Sequence, residues 1–235
     1  MTIKDAYIHI QQGLQNIAAF VYKDIELQEL DYNWNHVCNL FVEYYFLPED
    51  DRKLIEFTEL EQIQANVDDL RVLLLTNQTI TPLVTFAQGK YIALPSNYLH
   101  LASDSTVVSK LCYDTTTKTT ITKDVIAQNR LTKTEDLRNT LDNSLAESKP
   151  ESPVSHLAGN NLYIYENNFT AKSVVIDYYK KPALIAYGVD GSTVLEFPDI
   201  TCRKIINLVI LYLSKVTQQD QTKIQNLKDG IRGKI

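Results

Sequence analysis

The stretch SVVIDYYKKP, residues 173–182, decides how the middle of the chain folds. Five of its first seven residues are β-branched or aromatic, which is the composition of a β-strand. Neighbouring side chains of a strand point to opposite sides, so both faces of this strand are largely apolar. One face carries Val174, Ile176 and Tyr178, and the other carries Val175, Asp177 and Tyr179. The pattern predicts a strand covered on both sides, for which a neighbouring molecule is one candidate cover.

The strand ends in two lysines and a proline. Pro182 has no amide N–H to donate, so we expect it to stop ladder pairing and protect a sheet edge. Lys180 and Lys181 have two interpretations, a solubilising strand end or cations that meet acidic residues of an adjacent subunit. Both interpretations stay open on the sequence alone.

The region before the strands has a helical period instead. Its first apolar stripe alternates spacings of four and three, which predicts a helix packed in a local bundle rather than a coiled coil. The stripe consists of Ile3, Tyr7, Ile10, Leu14, Ile17 and Val21. A second helix is predicted over residues 32–46, and a third after the capping-box pair Thr58 and Glu61, running through Leu74. Residues 1–77 are therefore predicted to be a helical bundle that packs with a C-terminal helix.

Strand-forming residues dominate from residue 78 to residue 197, which predicts a β domain. Residues 114–122 read as a hairpin tip, and residues 129–153 as a polar excursion with a short amphipathic helix. Residues 198–235 begin with a helix that is apolar all round, which predicts burial, and continue as a polar tail. The fold class is thus α+β, with an N-terminal helical bundle, a central antiparallel β domain with hairpin excursions, and C-terminal helices.

Composition limits the class of protein. The chain has 235 residues, a net charge of −6 and three widely spaced cysteines. This charge argues against a protein that coats nucleic acid, and the cysteines form no disulfide framework, which fits a reducing compartment. The opening residues MTIKDAYIHI lack the layout of a signal peptide, and the longest apolar run is far short of the roughly 20 residues of a membrane span. We therefore expect no membrane association and no secretion by that route.

No pattern of catalytic residues occurs in the sequence. Phosphate-cradling glycine motifs and the GxSxG elbow are absent, and His9, His36, His100 and His156 stand alone in the sequence. The acidic pairs at residues 50–51 and 68–69 fit solvated helix positions better than Mg²⁺ ligands. We expect no catalytic, cofactor or metal site, while the 14 tyrosines mildly favour a binding surface.

Three stretches, taken in order, resemble one protein family. They are YIALPSNYLHL (91–101), VVIDYYKKPALI (174–185) and LEFPDITCRKIINLVILYL (195–213). Behind a helical N-terminal segment, this order resembles the head-to-tail adaptor or ring proteins of short-tailed double-stranded DNA phages. It is most similar to the versions in crAss-like phages, and the resemblance covers mainly residues 80–110 and 170–215.

The resemblance implies a structural protein of the virion without catalytic turnover. Such proteins form a ring of about twelve copies beneath the portal, lengthen the DNA channel and carry the tail. The implied partners are further copies, the portal protein and other ring or tail proteins, with DNA only as passing cargo. The implied location is the neck of the virion, after assembly in the host cytoplasm. The resemblance also implies that residues 217–235 dock into the portal, through the stripe Ile224, Leu227 and Ile231.

Three alternatives remain open. Within phage biology, a tail hub or fibre-attachment ring would have the same fold class and different neighbours. A metal-dependent hydrolase with a site scattered through the sequence, or a ligand-binding module that uses the tyrosines, would belong to other classes.

Overall fold

The computed structural model describes residues 1–18, 25–46, 67–114, 119–186 and 193–214. Within them, helices lie towards both ends of the sequence and antiparallel sheets in the middle, so the predicted α+β class is confirmed. The helices are α1 (Ile3–Ala18), α2 (Leu27–Phe46), α3 (Leu137–Asp142) and α4 (199–214), and a 3-10 helix spans Val67–Leu73. The strands are β1 (Leu74–Ile80), β2 (Val84–Phe86), β3 (Gly89–Ala93), β4 (Tyr98–Asp114), β5 (Thr119–Gln128), β6 (Arg130–Leu131), β7 (Val154–Ala158), β8 (Asn161–Tyr165) and β9 (Thr170–Lys180).

The chain divides into two compact units. The helical unit comprises Met1–Val72 and Pro182–Ile235, and the β unit comprises Leu73–Lys181. Residues 73–77 therefore belong with the strands, and residues 182–197 belong with the helices.

In the helical unit, the predicted stripe of α1 is its buried face. Ile3, Tyr7, Ile10 and Leu14 are each at most 2% exposed, whereas Val21 lies outside the described residues. The Tyr7 hydroxyl donates a hydrogen bond to Asp31 of α2. Burial, together with this hydrogen bond, raises the pKa of Tyr7 well above its usual value.

Helix α2 begins five residues earlier than predicted, at Leu27 instead of Tyr32. Its buried face includes Leu30, Trp34 and Phe41. The polar residues between Leu27 and Leu30 concealed this first turn, because a helix end needs little apolar surface of its own.

Helix α4 is buried on several sides, as its apolar sequence predicts. Cys202, Ile205 and Val209 have no exposed surface. Gly13 lets α1 approach α4 closely, because a Cβ at that position would lie 2.3 Å from Cδ1 of Ile210. The two helices therefore pack directly on each other.

In the β unit, two sheets enclose an apolar core. One sheet has the order β1-β9-β4-β5 and the other β2-β3-β8-β7-β6, with β6–β7 the parallel pair. Members of both sheets form one buried cluster: Ile92, Leu162, Ile164, Ala171, Val174, Ile176 and Tyr178. Lys90 of β3 adds a polar tie, since its Nζ donates to the Ala171 carbonyl oxygen of β9 at 2.5 Å.

Strand β9 corrects the interpretation of Pro182. The strand pairs with β1 on one side and β4 on the other, so it lies inside its sheet, and Pro182 does not protect an edge. The face with Val174, Ile176 and Tyr178 is buried, and the opposite face is half-buried. The edges of this sheet are β1 and β5, which the sequence around Pro182 could not reveal because strand neighbours are set by distant residues.

Two boundaries differ from the sequence interpretation. The proline and polar residues of segment 94–103 predict a loop with one short helical turn, but β4 begins at Tyr98 and continues to Asp114. Bulges along the β4–β9 ladder accommodate the polar residues of this segment. The third apolar run is predicted to stay helical through Leu74. The structure instead has a 3-10 helix that ends at Leu73, and Leu74 begins β1. Residues 58–66 lie outside the described residues.

The two excursions of the β domain agree with the sequence. Strands β4 and β5 form a hairpin that pairs as far as Asp114 and Thr119, and its tip, residues 115–118, lies outside the described residues. The segment from residue 129 to residue 153 contains the short helix α3, which ends before Leu145.

The β2–β3 hairpin generates a stability prediction. A Cβ at Gly89 would lie 2.1 Å from the carbonyl oxygen of Ile164, so Gly89→Ala should destabilise the β unit by about 2–4 kcal/mol. The control is Gly159→Ala, where φ is +58° and nothing lies within 4 Å, with an expected cost of about 1 kcal/mol. Urea unfolding followed by far-UV circular dichroism measures both. Fluorescence of Trp34, the one tryptophan of the chain, reports the helical unit separately and should not change. Equal costs for the two variants would contradict the predicted clash.

Candidate assembly surfaces

The β4–β5 hairpin extends beyond the rest of its sheet. The last residue of β4 that pairs with β9 is Ser109, opposite Thr170. Residues 110–114 and 119–123 therefore pair only with each other within the described ranges, and we call them the ribbon. A two-stranded ribbon buries little apolar surface by itself and is marginally stable in water. This makes it a natural candidate for contact with another molecule.

Two ion pairs hold the root of the ribbon. Lys110 Nζ lies 2.6 Å from Glu151 of the 129–153 segment, and Lys172 Nζ lies 2.7 Å from Asp124 of β5. The hydrogen bond from Lys110 lowers the pKa of Glu151, and that from Lys172 lowers the pKa of Asp124. Because these groups are solvated, the pairs orient the ribbon more than they stabilise it.

Apolar side chains lie on the outer face of the ribbon and its root. Val107 is opposite Ile126, and Leu111 is opposite Thr122, all on the face away from buried Val108. Leu111 is 74% exposed and Ile126 is 69% exposed. We call Val107, Leu111 and Ile126 the outer row. Apolar side chains that share one exposed strand face can form a contact surface, whereas single exposed ones are common on any protein.

The two edges of the four-stranded sheet differ in regularity. Edge strand β1 has a register shift between Leu75 and Gln78, where Asn77 has φ 55° and its N–H donates to Asp177 at 2.7 Å. Edge strand β5 pairs with β4 in one unbroken register of ten residue pairs. A bulged edge resists strand addition, whereas a regular open edge permits it. The free side of β5 is thus the better template for pairing with another chain.

The outer face of the five-stranded sheet carries an aromatic cluster. Phe86 packs edge-on against Tyr163 and Tyr165, with ring centroids 5.4 and 5.6 Å apart, and Tyr91 lies 5.3 Å from Tyr163. His156 lies beside Tyr163 and opens towards a cavity of about 450 Å³ that residues 131–135 and Leu157 also line. Tyr165 and His156 are buried, while Phe86, Tyr91 and Tyr163 are half-buried. This face is a second candidate surface, although much of it is already covered.

The predicted interface residues lie elsewhere. Lys180 is the last residue of β9, is half-buried and stands opposite Tyr98; Lys181 follows it and is exposed. The Lys181 N–H donates to the Asn97 carbonyl oxygen at 2.8 Å. The first residues of β4 therefore lie beside Lys180 and Lys181. The other end of β4 forms the ribbon, roughly 40 Å away along the strand. Ile224, Leu227 and Ile231 lie outside the described residues.

Metal-binding side chains are dispersed over the described residues. Within them, no group of three or more His, Cys, Asp or Glu side chains is placed to hold a metal ion. The four histidines occupy four different elements, α1, α2, β4 and β7. No described helix combines the length and apolar character that crossing a membrane requires.

Comparison with known proteins leaves the family open. No protein-family model matches the chain, and no curated protein is similar to it in sequence.

The sequence interpretation missed the ribbon as a surface. The signal was present in the apolar Leu111 and Ile126, which lie on strand-forming segments. Whether such residues face a core or solvent depends on which strands flank them, and β9 stops pairing at Ser109.

The three cysteines supply a test of these placements. Cys38 and Cys202 are buried, and burial raises the pKa of the Cys202 thiol to about 11, while Cys112 on the inner face of the ribbon is part-exposed. Thiolate is the reactive form, so at pH 8 we expect one thiol of the native protein to react with a maleimide at least ~100-fold faster than the other two. Cys112→Ser should remove the fast phase, and urea should expose all three. Fast labelling that survives in Cys112→Ser would contradict the placement.

Proposed function

We propose that this chain is a virion structural protein, a head-to-tail adaptor that forms an oligomeric ring below the portal. The ring extends the DNA channel and provides the platform for tail attachment. The observation that carries the proposal is the ribbon, a projecting hairpin with an exposed outer row and a regular open edge. The resemblance of three ordered stretches supplies the specific role.

The three stretches that carry the resemblance are also structurally linked. In the β unit, the Tyr178 hydroxyl donates to Asn97 at 3.1 Å, which joins the second stretch to the first. In the helical unit, the Ala183 N–H donates to the carboxylate of Glu196 at 3.0 Å, which joins the second stretch to the third. Within each unit, segments distant in sequence are therefore in direct contact, which supports treating their order as a single signature.

The partner of the ribbon is a second copy of the chain. The free edge of β5 is regular, whereas the edge of β1 is bulged. The two edges of the sheet therefore differ in how well they can pair with a strand of another copy. Contact between the ribbon of one copy and a different surface of the next is heterologous, and a heterologous contact that closes makes a ring. A self-complementary twofold contact would instead stop at a dimer.

The proposal includes no catalytic turnover and no cofactor. DNA is passing cargo, and a net charge of −6 suits a channel through which DNA must slide, because strong phosphate binding would hold it. The remaining partners are the portal protein and further ring or tail proteins.

The outer row provides the main test. Leu111→Asp places a charge in the proposed contact, so we expect it to abolish ring formation and leave the monomer folded. Leu145→Asp is the matched control, because Leu145 is 85% exposed and belongs to the 129–153 segment, not to the ribbon. Native mass spectrometry and sedimentation, with and without the cognate portal protein, measure the copy number.

Rings that form equally well with Leu111→Asp would refute the role of the ribbon. A ring that binds tail proteins and ignores the portal would favour the tail hub or fibre-attachment alternative. A protein that stays monomeric in the presence of portal, tail proteins and high concentration would refute the assembly role altogether.

The C-terminal tail gives a separate prediction. Deleting residues 218–235 removes the stripe Ile224, Leu227 and Ile231, so we expect the truncated chain to fold but to lose portal attachment. Circular dichroism and Trp34 fluorescence check the fold, and co-sedimentation with portal measures attachment. Unchanged attachment would show that residues 218–235 are not the docking segment.

A further inference from the structure

Four polar side chains meet inside the β unit, apart from the surfaces described above. Asp104 and Thr106 lie two residues apart on β4, and their ladder partners on β9 belong to the apolar core. Ser155 of β7 pairs with a core residue of β8, so it too lies on an inner face. Asn129 follows β5 and donates through Nδ2 to Asp104 Oδ2 at 2.7 Å. The cluster thus draws on both sheets.

Three oxygen atoms of this cluster are buried without a hydrogen-bond partner. They are Thr106 Oγ1, Asn129 Oδ1 and Ser155 Oγ. Thr106 and Ser155 are fully buried, and Asp104 is 5% exposed. Leaving a polar atom unsatisfied in the interior is costly, and natural interiors rarely do so. Asn129 and Ser155 reach the Asp104 carboxyl group, and Thr106 lies two residues along the same strand face, so three such atoms beside one buried carboxyl group indicate a bound species.

The carboxyl group also lacks a countercharge. Its side-chain neighbours are the Asn129 amide, which donates to it, and the Ser155 hydroxyl, both neutral, and no ion pair reaches Asp104 in the part of the chain that the structure describes. An ionised carboxylate in such a site requires a cation.

We propose that Asp104, Thr106, Asn129 and Ser155 form a binding site for a monovalent alkali cation, Na⁺ or K⁺. All four donors are oxygens, the ligands that hard cations prefer. One carboxylate balances a single positive charge, whereas Ca²⁺ or Mg²⁺ would leave an uncompensated charge in the interior. Half-buried Asn129 provides the route of entry from solvent.

A proton or a water molecule fits the cluster less well. A proton on Asp104 would neutralise the charge but could join only one of the three unsatisfied oxygens to the carboxyl group. A water molecule could bridge the oxygens but would leave the negative charge uncompensated. A cation compensates the charge and binds the unsatisfied oxygens at the same time. It also ties β4 and Asn129, which follows β5, to β7 of the other sheet.

The test uses the full chain at pH 7.5 and constant ionic strength, with choline chloride replaced stepwise by NaCl or KCl. Far-UV circular dichroism follows thermal unfolding of the β unit. We expect a saturable rise in Tm of about 4 °C or more with at least one alkali cation. Asp104→Asn, close in shape but uncharged, should abolish the rise, and Thr106→Val should weaken apparent affinity about fivefold or more. Asp142→Asn, at an exposed carboxylate of the same unit, should behave like the wild type.

Line broadening of ²³Na in the native wild-type protein, reversed by KCl, gives a second readout that does not depend on how the variants fold. The same Tm in choline, NaCl and KCl, with no broadening, would overturn the proposal in favour of a buried water or proton. Salt dependence that persists in Asp104→Asn would assign the effect to non-specific screening, and a larger rise with Ca²⁺ would overturn the monovalent assignment. None of these outcomes depends on ring assembly, so this proposal can fail while the proposed function holds.

Discussion

The β unit depends on the burial of one face of β9. Val174 and Ile176 have no exposed surface and pack against β3 and β8 of the other sheet, and each such side chain contributes about 1.5–3 kcal/mol. Because β9 also pairs on both sides, it fixes the positions of β1 and β4. Strand β9 is shorter than β4, with 11 residues against 17. Within the described residues, the excess length of β4 pairs only with β5, and this difference in strand length produces the ribbon.

The interior of the β unit contains two polar sites that solve burial differently. Lys90 reaches a backbone carbonyl of β9 and lies 3.5 Å from Glu166, so its charge is matched by neighbouring groups. Asp104 has neutral neighbours and three unsatisfied oxygens around it. The first site is complete within the protein. The Asp104 site has a compensating charge only when a cation binds from solvent. A buried charge needs a partner in both sites, and the partner is a protein group for Lys90 and a ligand for Asp104.

The sequence predicts features that depend on residues close together in the chain, and it misses features that depend on distant strands. The stripe of α1 was readable because residues three and four apart share a helix face, and Ile10 and Leu14 are buried as expected. Pro182 was misread because its meaning depends on β1 and β4, which lie between 68 and 108 residues earlier in the chain. The exposure of Leu111 and the burial of Asp104 were hidden for the same reason. An apolar residue on a strand faces a core only if another sheet covers it, and a carboxylate is buried only if its neighbours enclose it.

The surfaces of the β unit are unlike one another, which bears on the proposed assembly role. The described histidines lie on four separate elements, and no three His, Cys, Asp or Glu side chains of the described residues are placed to hold a metal ion. A ring subunit requires surfaces that are distinct and point apart. The ribbon projects from one end of β4, while Lys180 and Lys181 lie at the other end, and the two edges of the sheet differ in regularity. A subunit with such unlike surfaces can contact its neighbours in one direction around a ring and still present a separate surface above or below it.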